Sequence, residues 1–134
     1  MQEYFVRGNK RAVINRHLEG DLSKSSGIQG SPYFFWFYPF DNGLRKYGYE
    51  EINGKSHNLP FDLAELRRIC DRASELLDVI IYGGDCIVSE TGDIRIIDFN
   101  DWPSFAPCRT EAAPHIARAI LKNIKAYADK RGLK

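Results

Sequence analysis

The chain has 134 residues, of which 43% are hydrophobic and 28% are charged, and its formal net charge is +1. This composition is typical of one globular domain, and the near-neutral charge gives no general attraction to nucleic acid or membranes. No apolar run approaches the roughly 20 residues of a membrane span. The three cysteines, Cys70, Cys86 and Cys108, form no Cys-x-x-Cys pair and are odd in number. We therefore expect reduced thiols and a cytoplasmic protein.

The first predicted element is a hairpin of residues 3–6 and 12–15, with Gly8-Asn9 at its tip. The next segment, residues 20–31, reads GDLSKSSGIQGS and predicts a loop because it is rich in Gly and Ser. Lys24 and the backbone amides around it can hold an anion, although the order of residues is not that of a Walker A loop. A loop without a ligand is the alternative.

The most aromatic segment is residues 32–40, PYFFWFYPF, which predicts a strand bounded by prolines. No Arg or Lys interrupts the aromatics of residues 33–38, so stacking on nucleic acid is disfavoured. The segment predicts either a core strand or a contact in a homodimer.

The clearest helix is predicted over residues 61–79, with Asp62 as N-cap and Glu65 completing a capping box. The apolar run of residues 79–82 predicts a buried strand. Gly83-Gly84 either turns the chain or permits close approach to a ligand.

Residues 84–105 predict a hairpin with a turn at residues 90–93. If Thr91-Gly92 are the central turn residues, opposed positions sum to 183, so Asp85 faces Asp98. Asn100 shares that face because side chains alternate along a strand. Opposed carboxylates need a shared proton, a basic neighbour or a cation. Two carboxylates and an amide favour Mg²⁺ or Mn²⁺ as the cation. In the alternative interpretation, Asp85 ends a Gly-Gly turn, and Asp98 and Asn100 begin a solvated loop.

The last predicted helix begins with Thr110 as N-cap, and its apolar stripe runs from Ile116 to Tyr127. Pro114 is tolerated if it falls in the first turn. The start of this helix, with Arg109 beside it, can attract an anionic substrate group. A plain helix start is the alternative.

Gly84-Asp85 followed by residues 96–105, IIDFNDWPSF, resembles the metal-binding end of the ATP-grasp superfamily. Its members show an acid after glycine on one strand, then a hydrophobic run ending in acid-x-Asn-x-x-Pro-Gly-Phe. The sequence departs at Ser104, where Gly is usual, and at Asp98, where Glu is commoner. The resemblance implies an α+β fold of an antiparallel sheet with two helices, the C-terminal half of such an enzyme.

The resemblance also implies a site. Asp85, Asp98 and Asn100 would hold the Mg²⁺ ions that bridge the phosphates of ATP, Arg16 would stabilise the transferred phosphate, and Lys24 would lie on a substrate-facing loop. The expected substrate is a small carboxylate, activated as an acyl phosphate and attacked by an amine or a thiol. The adenine hinge is either residues 2–5 or a segment upstream of Met1.

The N-terminal half that such enzymes need is missing from this sequence, so we expect a fragment or an inactive truncated homologue. Three functions follow: part of a carboxylate–amine/thiol ligase, a kinase of the inositol-phosphate-kinase type, or a domain that serves in protein association.

Overall fold

The computed structural model describes residues 6–8, 11, 15–39 and 55–132. These form one antiparallel sheet with strand order β2-β1-β3-β4, and two helices. The elements are β1 (Asp21–Ile28), β2 (Phe34–Phe37), α1 (Leu63–Leu77), β3 (Ile81–Val88), β4 (Ile94–Asp101), a 3-10 turn (Ala106–Cys108) and α2 (Arg109–Lys130). The predicted fold class, an α+β fold with an antiparallel sheet and two helices, is confirmed.

The prediction of a loop over residues 20–31 is wrong, because Asp21–Ile28 is a central strand that pairs with both β2 and β3. Its small residues are needed on the face below α1. Ser23 and Ser25 are buried there, and the Oγ of Ser25 lies 3.5 Å from the Sγ of Cys70. A Cβ at Gly27 would overlap the hydroxyl of Tyr82. Larger side chains would therefore separate helix and sheet.

The predicted N-terminal hairpin and the placement of the hinge at residues 2–5 lie almost entirely outside the described residues. Of the two hairpin strands, only Val6 and Asn15 are described, and neither is in a strand. The linker of residues 41–54 lies outside them as well.

Gly83 and Gly84 do not turn the chain but lie inside β3. A Cβ at Gly83 would come within 2.6 Å of the Cγ of Pro103 and 2.8 Å of the carbonyl oxygen of Ser25. A Cβ at Gly84 would overlap the backbone carbonyl of Asp98. Both glycines are thus needed for close approach, and the atoms that approach belong to the protein itself.

Helix α1 and one face of the sheet enclose the core. Leu66 and Cys70 of α1 pack with Tyr82 and Cys86 of β3, and several half-buried apolar residues surround them: Phe34, Trp36, Phe61, Val79, Ile94, Ile96 and Phe99. The predicted N-cap is confirmed, since the carboxylate of Asp62 accepts from the amide of Ala64 at 2.8 Å. Glu65 instead accepts two hydrogen bonds from Arg68.

The predicted aromatic strand is β2, and its alternate residues serve different faces. Phe34 and Trp36 pack on the core, while Phe35 and Phe37 point to the other face with ring centroids 5.6 Å apart. Strand β2 is at an edge of the described sheet. A homodimer through this strand stays a prediction.

The turn between β1 and β2 is held from both sides. The guanidinium of Arg67 in α1 donates to the carbonyl oxygens of Ser31 and Pro32 at 2.9 and 3.1 Å. From the opposite side, Nδ1 of His115 in α2 lies 2.8 Å from the Oγ of Ser31. The two helices therefore pack on opposite faces of the sheet.

Helix α2 begins one residue before Thr110, with Cys108 as N-cap, and Pro114 is its sixth residue rather than part of the first turn. Its N-terminal half contacts the sheet, where Ala112 is fully buried. Most of the predicted apolar stripe is exposed beyond the sheet: Ile120, Leu121, Ile124 and Tyr127. Neither helix of the described residues is long and apolar enough to cross a membrane.

A buried carboxylate fixes the segment that precedes α1. Asp21, only 3% exposed, accepts from the amides of His57 and Leu59 at 2.7 and 2.8 Å. The Nδ1 of His57 lies 3.0 Å from the same carboxylate. Burial by itself would raise the pKa of Asp21, but these hydrogen bonds outweigh it and hold the pKa below its usual value.

Gly84→Ala is expected to destabilise the fold by about 3 kcal/mol, because the new methyl group meets rigid backbone at Asp98. It should also remove the hydrogen-exchange protection of the β3–β4 amides. Gly30→Ala is the control: its φ is +70° but its surroundings are open, so it should cost about 1 kcal/mol and leave that protection intact. Equal loss of protection in both variants would contradict the explanation.

Asp21→Asn should destabilise the fold by about 1–3 kcal/mol at neutral pH, since an amide cannot accept from both backbone amides as a carboxylate does. The lowered pKa adds stability above about pH 4, and this contribution is lost as the pH falls through the folded-state pKa. The difference between wild type and variant should therefore shrink in acid, as measured by urea unfolding. A difference that stays constant from pH 7 to acid would argue against it. Asp129→Asn, an exposed change on α2, is the control.

Candidate functional site

The hairpin of β3 and β4 has two registers. Next to the turn, Val88 pairs with Ile94, so the connection is a five-residue loop and opposed positions sum to 182 rather than the predicted 183. A bulge at Ile97 then adds one residue to β4. Beyond it, Asp85 faces Asp98, as predicted. The predicted register is therefore wrong at the turn and right at the site.

The pairing places the predicted ligands together on one face. Asp85 and Asp98 are directly opposed, and Asn100 follows two residues later on β4, opposite Gly83. We call the face that carries these three residues the site face; it is opposite the face that packs on α1. Asp98 and Asn100 are exposed and Asp85 is half-buried, so solvent reaches the cluster.

Lys24 reaches the cluster from the neighbouring strand. It pairs with Asp85 across β1 and β3, and its Nζ lies 2.7 and 2.8 Å from the two carboxylate oxygens of Asp85. Lys24 approaches from the side of β1, whereas Asp98 lies on the side of β4. Of the three expected remedies for opposed carboxylates, a basic neighbour is therefore present beside Asp85, while Asp98 still faces solvent, from which a cation can reach it.

The Lys24 side chain belongs to a strand and not to the predicted loop. Sequence patterning singled out Lys24 but missed the strand, because the residues that alternate around it are Ser and Gly rather than strongly apolar. The pairing of β1 with β3 along the whole length of β1 brings the ammonium group to Asp85.

Asp98 has a different environment. Among the described residues, its carboxylate is hydrogen-bonded by Nδ2 of Asn100 alone, at 2.5 Å. This bond orients both side chains toward the same part of the site face. It leaves most of the acceptor capacity of Asp98 to solvent, since an ionised carboxylate has about four lone-pair sites.

The donor set fits a hard divalent cation. Asp85, Asp98 and Asn100 offer oxygen atoms alone, as Mg²⁺ and Mn²⁺ prefer, and they lie on neighbouring strands. The described part of the chain contains no group of three or more His, Cys, Asp or Glu side chains placed to hold a metal. The candidate set has two carboxylates, and its third member is an amide.

The other two predicted site residues are not joined to this cluster. Arg16 is exposed in the irregular segment before β1. Arg109 is the exposed first residue of α2, which is anchored at its start on the site face by a 3.8 Å contact between the Sγ of Cys108 and the Oγ of Ser26. No hydrogen bond or ion pair connects either arginine to Asp85, Asp98 or Asn100 in the described residues.

The exit from β4 closes the site on one side. Trp102 has a φ of +45°, an unusual value for a bulky residue, and its amide donates to the carbonyl oxygen of Ile81 at 2.9 Å. The turn brings Pro103 against Gly83, directly beside Asn100 in the ladder. The strained backbone thus fixes where the chain leaves the sheet next to the cluster.

Comparisons with protein-family models, with curated proteins and with solved structures find no match to this chain. The assignment of a function therefore depends on the geometry of the site face.

Asp98→Asn should stabilise the fold by about 0.2–1 kcal/mol in metal-free buffer, because it removes one of two opposed carboxylates. The hydrogen bond to Asn100 can persist, since the new amide keeps an acceptor oxygen. Asp101→Asn is the matched control: it removes an exposed carboxylate of the same strand from the opposite face. Thermal and urea unfolding measure both variants, and a destabilised Asp98→Asn would contradict repulsion between the carboxylates.

Proposed function

We propose that the site face binds a divalent cation together with the phosphates of ATP, and that the chain is the metal-holding half of an ATP-dependent carboxylate–amine or carboxylate–thiol ligase. The observation that supports the proposal most is the register that sets Asp85 opposite Asp98 with Asn100 on the same face. Such a juxtaposition costs stability in a sheet, and a bound cation offsets that cost.

The residues of the cluster have separate parts in this proposal. Asp85 and Asp98 supply the negative charge that holds the cation. Asn100 adds its amide oxygen as the third ligand, and its Nδ2 orients Asp98 through the 2.5 Å hydrogen bond. Lys24 supplies a positive charge on the side of the cluster away from β4, suited to a phosphate oxygen. Bound Mg²⁺ would neutralise charge on the phosphoryl group that is transferred.

The exposure of the cluster also supports the proposal. A site that admits a nucleotide has to be open, and both Asp98 and Asn100 are exposed while Lys24 is 40% exposed. Three protein ligands leave coordination positions for water and phosphate, which is common for Mg²⁺ sites that hold substrate phosphates. The small carboxylate substrate, the partner half that covers the nucleotide and the cytoplasmic location belong to the same proposal.

The test is a calorimetric titration of the chain with Mn²⁺ in the presence of a non-hydrolysable ATP analogue. We expect weak binding, with Kd on the order of 1 mM, because few protein ligands contribute. Asp98→Asn should weaken it at least about tenfold, since losing even a residue that supports a metal ligand costs roughly 10–100-fold. We expect no ATP hydrolysis by the chain by itself.

Asp101→Asn is again the control and should bind as the wild type does. Equal binding by wild type and Asp98→Asn would refute the proposed site. Tight binding of the ATP analogue without Mn²⁺ would place the nucleotide elsewhere.

A further inference from the structure

The contact between Lys24 and Asp85 is the best-defined interaction on the site face. One ammonium group lies within hydrogen-bond distance of both oxygens of one carboxylate, at 2.7 and 2.8 Å. The pair is only partly shielded, with the side chain of Lys24 40% exposed and that of Asp85 25% exposed. Lys24 therefore neutralises Asp85 and leaves Asp98, its opposite neighbour, without a cationic partner in the described residues.

A divalent cation and the ammonium group compete for Asp85. Both need the same carboxylate oxygens, and at about 4 Å two like charges repel strongly unless water screens them. The Nζ of Lys24 therefore opposes the binding of a cation by Asp85 and Asp98 together, and a bound cation favours the displacement of the Nζ from Asp85. The long, partly exposed side chain of Lys24 permits this movement without any change in β1.

A bound phosphate changes the competition between the cation and Lys24 for Asp85. Once it binds the cation, its oxygens offer the displaced ammonium group a new anionic partner beside the site. The loss of the Lys24–Asp85 pair is then compensated, and the net charge around the cation falls.

We infer that Lys24 is an internal counter-ion of Asp85 that couples the binding of the cation to the binding of phosphate. This inference depends on the proposed function and adds a regulatory step to it. Without phosphate, Lys24 holds Asp85 and weakens the binding of the cation. With phosphate, Lys24 moves to the anion and Asp85 becomes a ligand. The coupling is reciprocal, so the cation raises the affinity for phosphate by the same factor.

Lys24→Met tests this coupling, because it keeps the length of the side chain and removes its charge. Calorimetry should measure the affinity for Mn²⁺ without and with the ATP analogue. Without the analogue, Mn²⁺ should bind about tenfold more tightly to the variant than to the wild type. The increase in Mn²⁺ affinity caused by the analogue should be about tenfold smaller in the variant, a factor within the range usual for coupled sites. Lys122→Met, which removes an exposed lysine of α2, should change neither value.

A second variant separates charge from the ability to bind Asp85. Lys24→Arg keeps a positive group that can contact both carboxylate oxygens, so its affinity for Mn²⁺ without the analogue should stay at or below that of the wild type. Thermal unfolding with and without Mn²⁺ gives a readout that does not depend on activity. Mn²⁺ should raise the melting temperature of Lys24→Met more than that of the wild type.

The outcomes distinguish this inference from the proposed function. If Asp98→Asn abolishes binding but Lys24→Met binds Mn²⁺ no more tightly than the wild type, the counter-ion role is wrong and the cation site stands. If Lys24→Met gains Mn²⁺ affinity, the inference is supported. If neither the wild type nor Lys24→Met binds Mn²⁺ in the presence of the analogue, both proposals are wrong.

Discussion

The close pairing of β3 with both of its neighbours is the constraint on which the rest of the structure depends. Gly83 and Gly84 lie at the middle of this strand, where a Cβ would collide with Pro103, with Ser25 or with the backbone of Asp98. Because both positions lack a side chain, β1, β4 and Pro103 can approach β3 closely at its middle. The three strands then carry Lys24, Asp85 and Asp98 in one row.

The two carboxylates of this row differ in their partners. Lys24 neutralises Asp85, whereas Asp98 faces solvent with only Asn100 as its hydrogen-bond partner in the described residues. Directly opposed carboxylates lower the stability of a sheet unless a cation or a basic side chain neutralises them. The proposed function would account for this arrangement: Asp85 and Asp98 would bind a cation, and Lys24 would leave Asp85 when a phosphate binds.

The two faces of the sheet have opposite requirements. On the core face, Ser23, Ser25 and Gly27 are small because α1 and the ring of Tyr82 fill the space above them. The hydroxyl of Tyr82 reaches across the core to donate to Asp71 at 2.5 Å. On the site face, the start of α2 covers Ser26, while the charged row stays open. One helix thus completes the core, and the other borders the site.

Several features could be predicted from the sequence because they depend on neighbours along the chain. The capped helix α1, the β3–β4 hairpin, and the alternation that groups Asp98 with Asn100 all follow from local spacing. The sequence predicts that Asp85 faces Asp98, but it does so with the wrong loop length. The result at the site is right only because the bulge at Ile97 restores the register.

The tertiary structure decided the features that depend on distant residues. Asp21–Ile28 contains three Ser and one Gly among its eight residues and has little strand tendency of its own. It becomes a central strand because two neighbours supply its hydrogen bonds and a tightly packed helix requires small side chains. The same pairing, between residues 61 positions apart, brings Lys24 to Asp85. Local sequence therefore specifies the two acids and the amide. Only the assembled sheet adds the lysine, because strand pairing is set by packing across the whole domain.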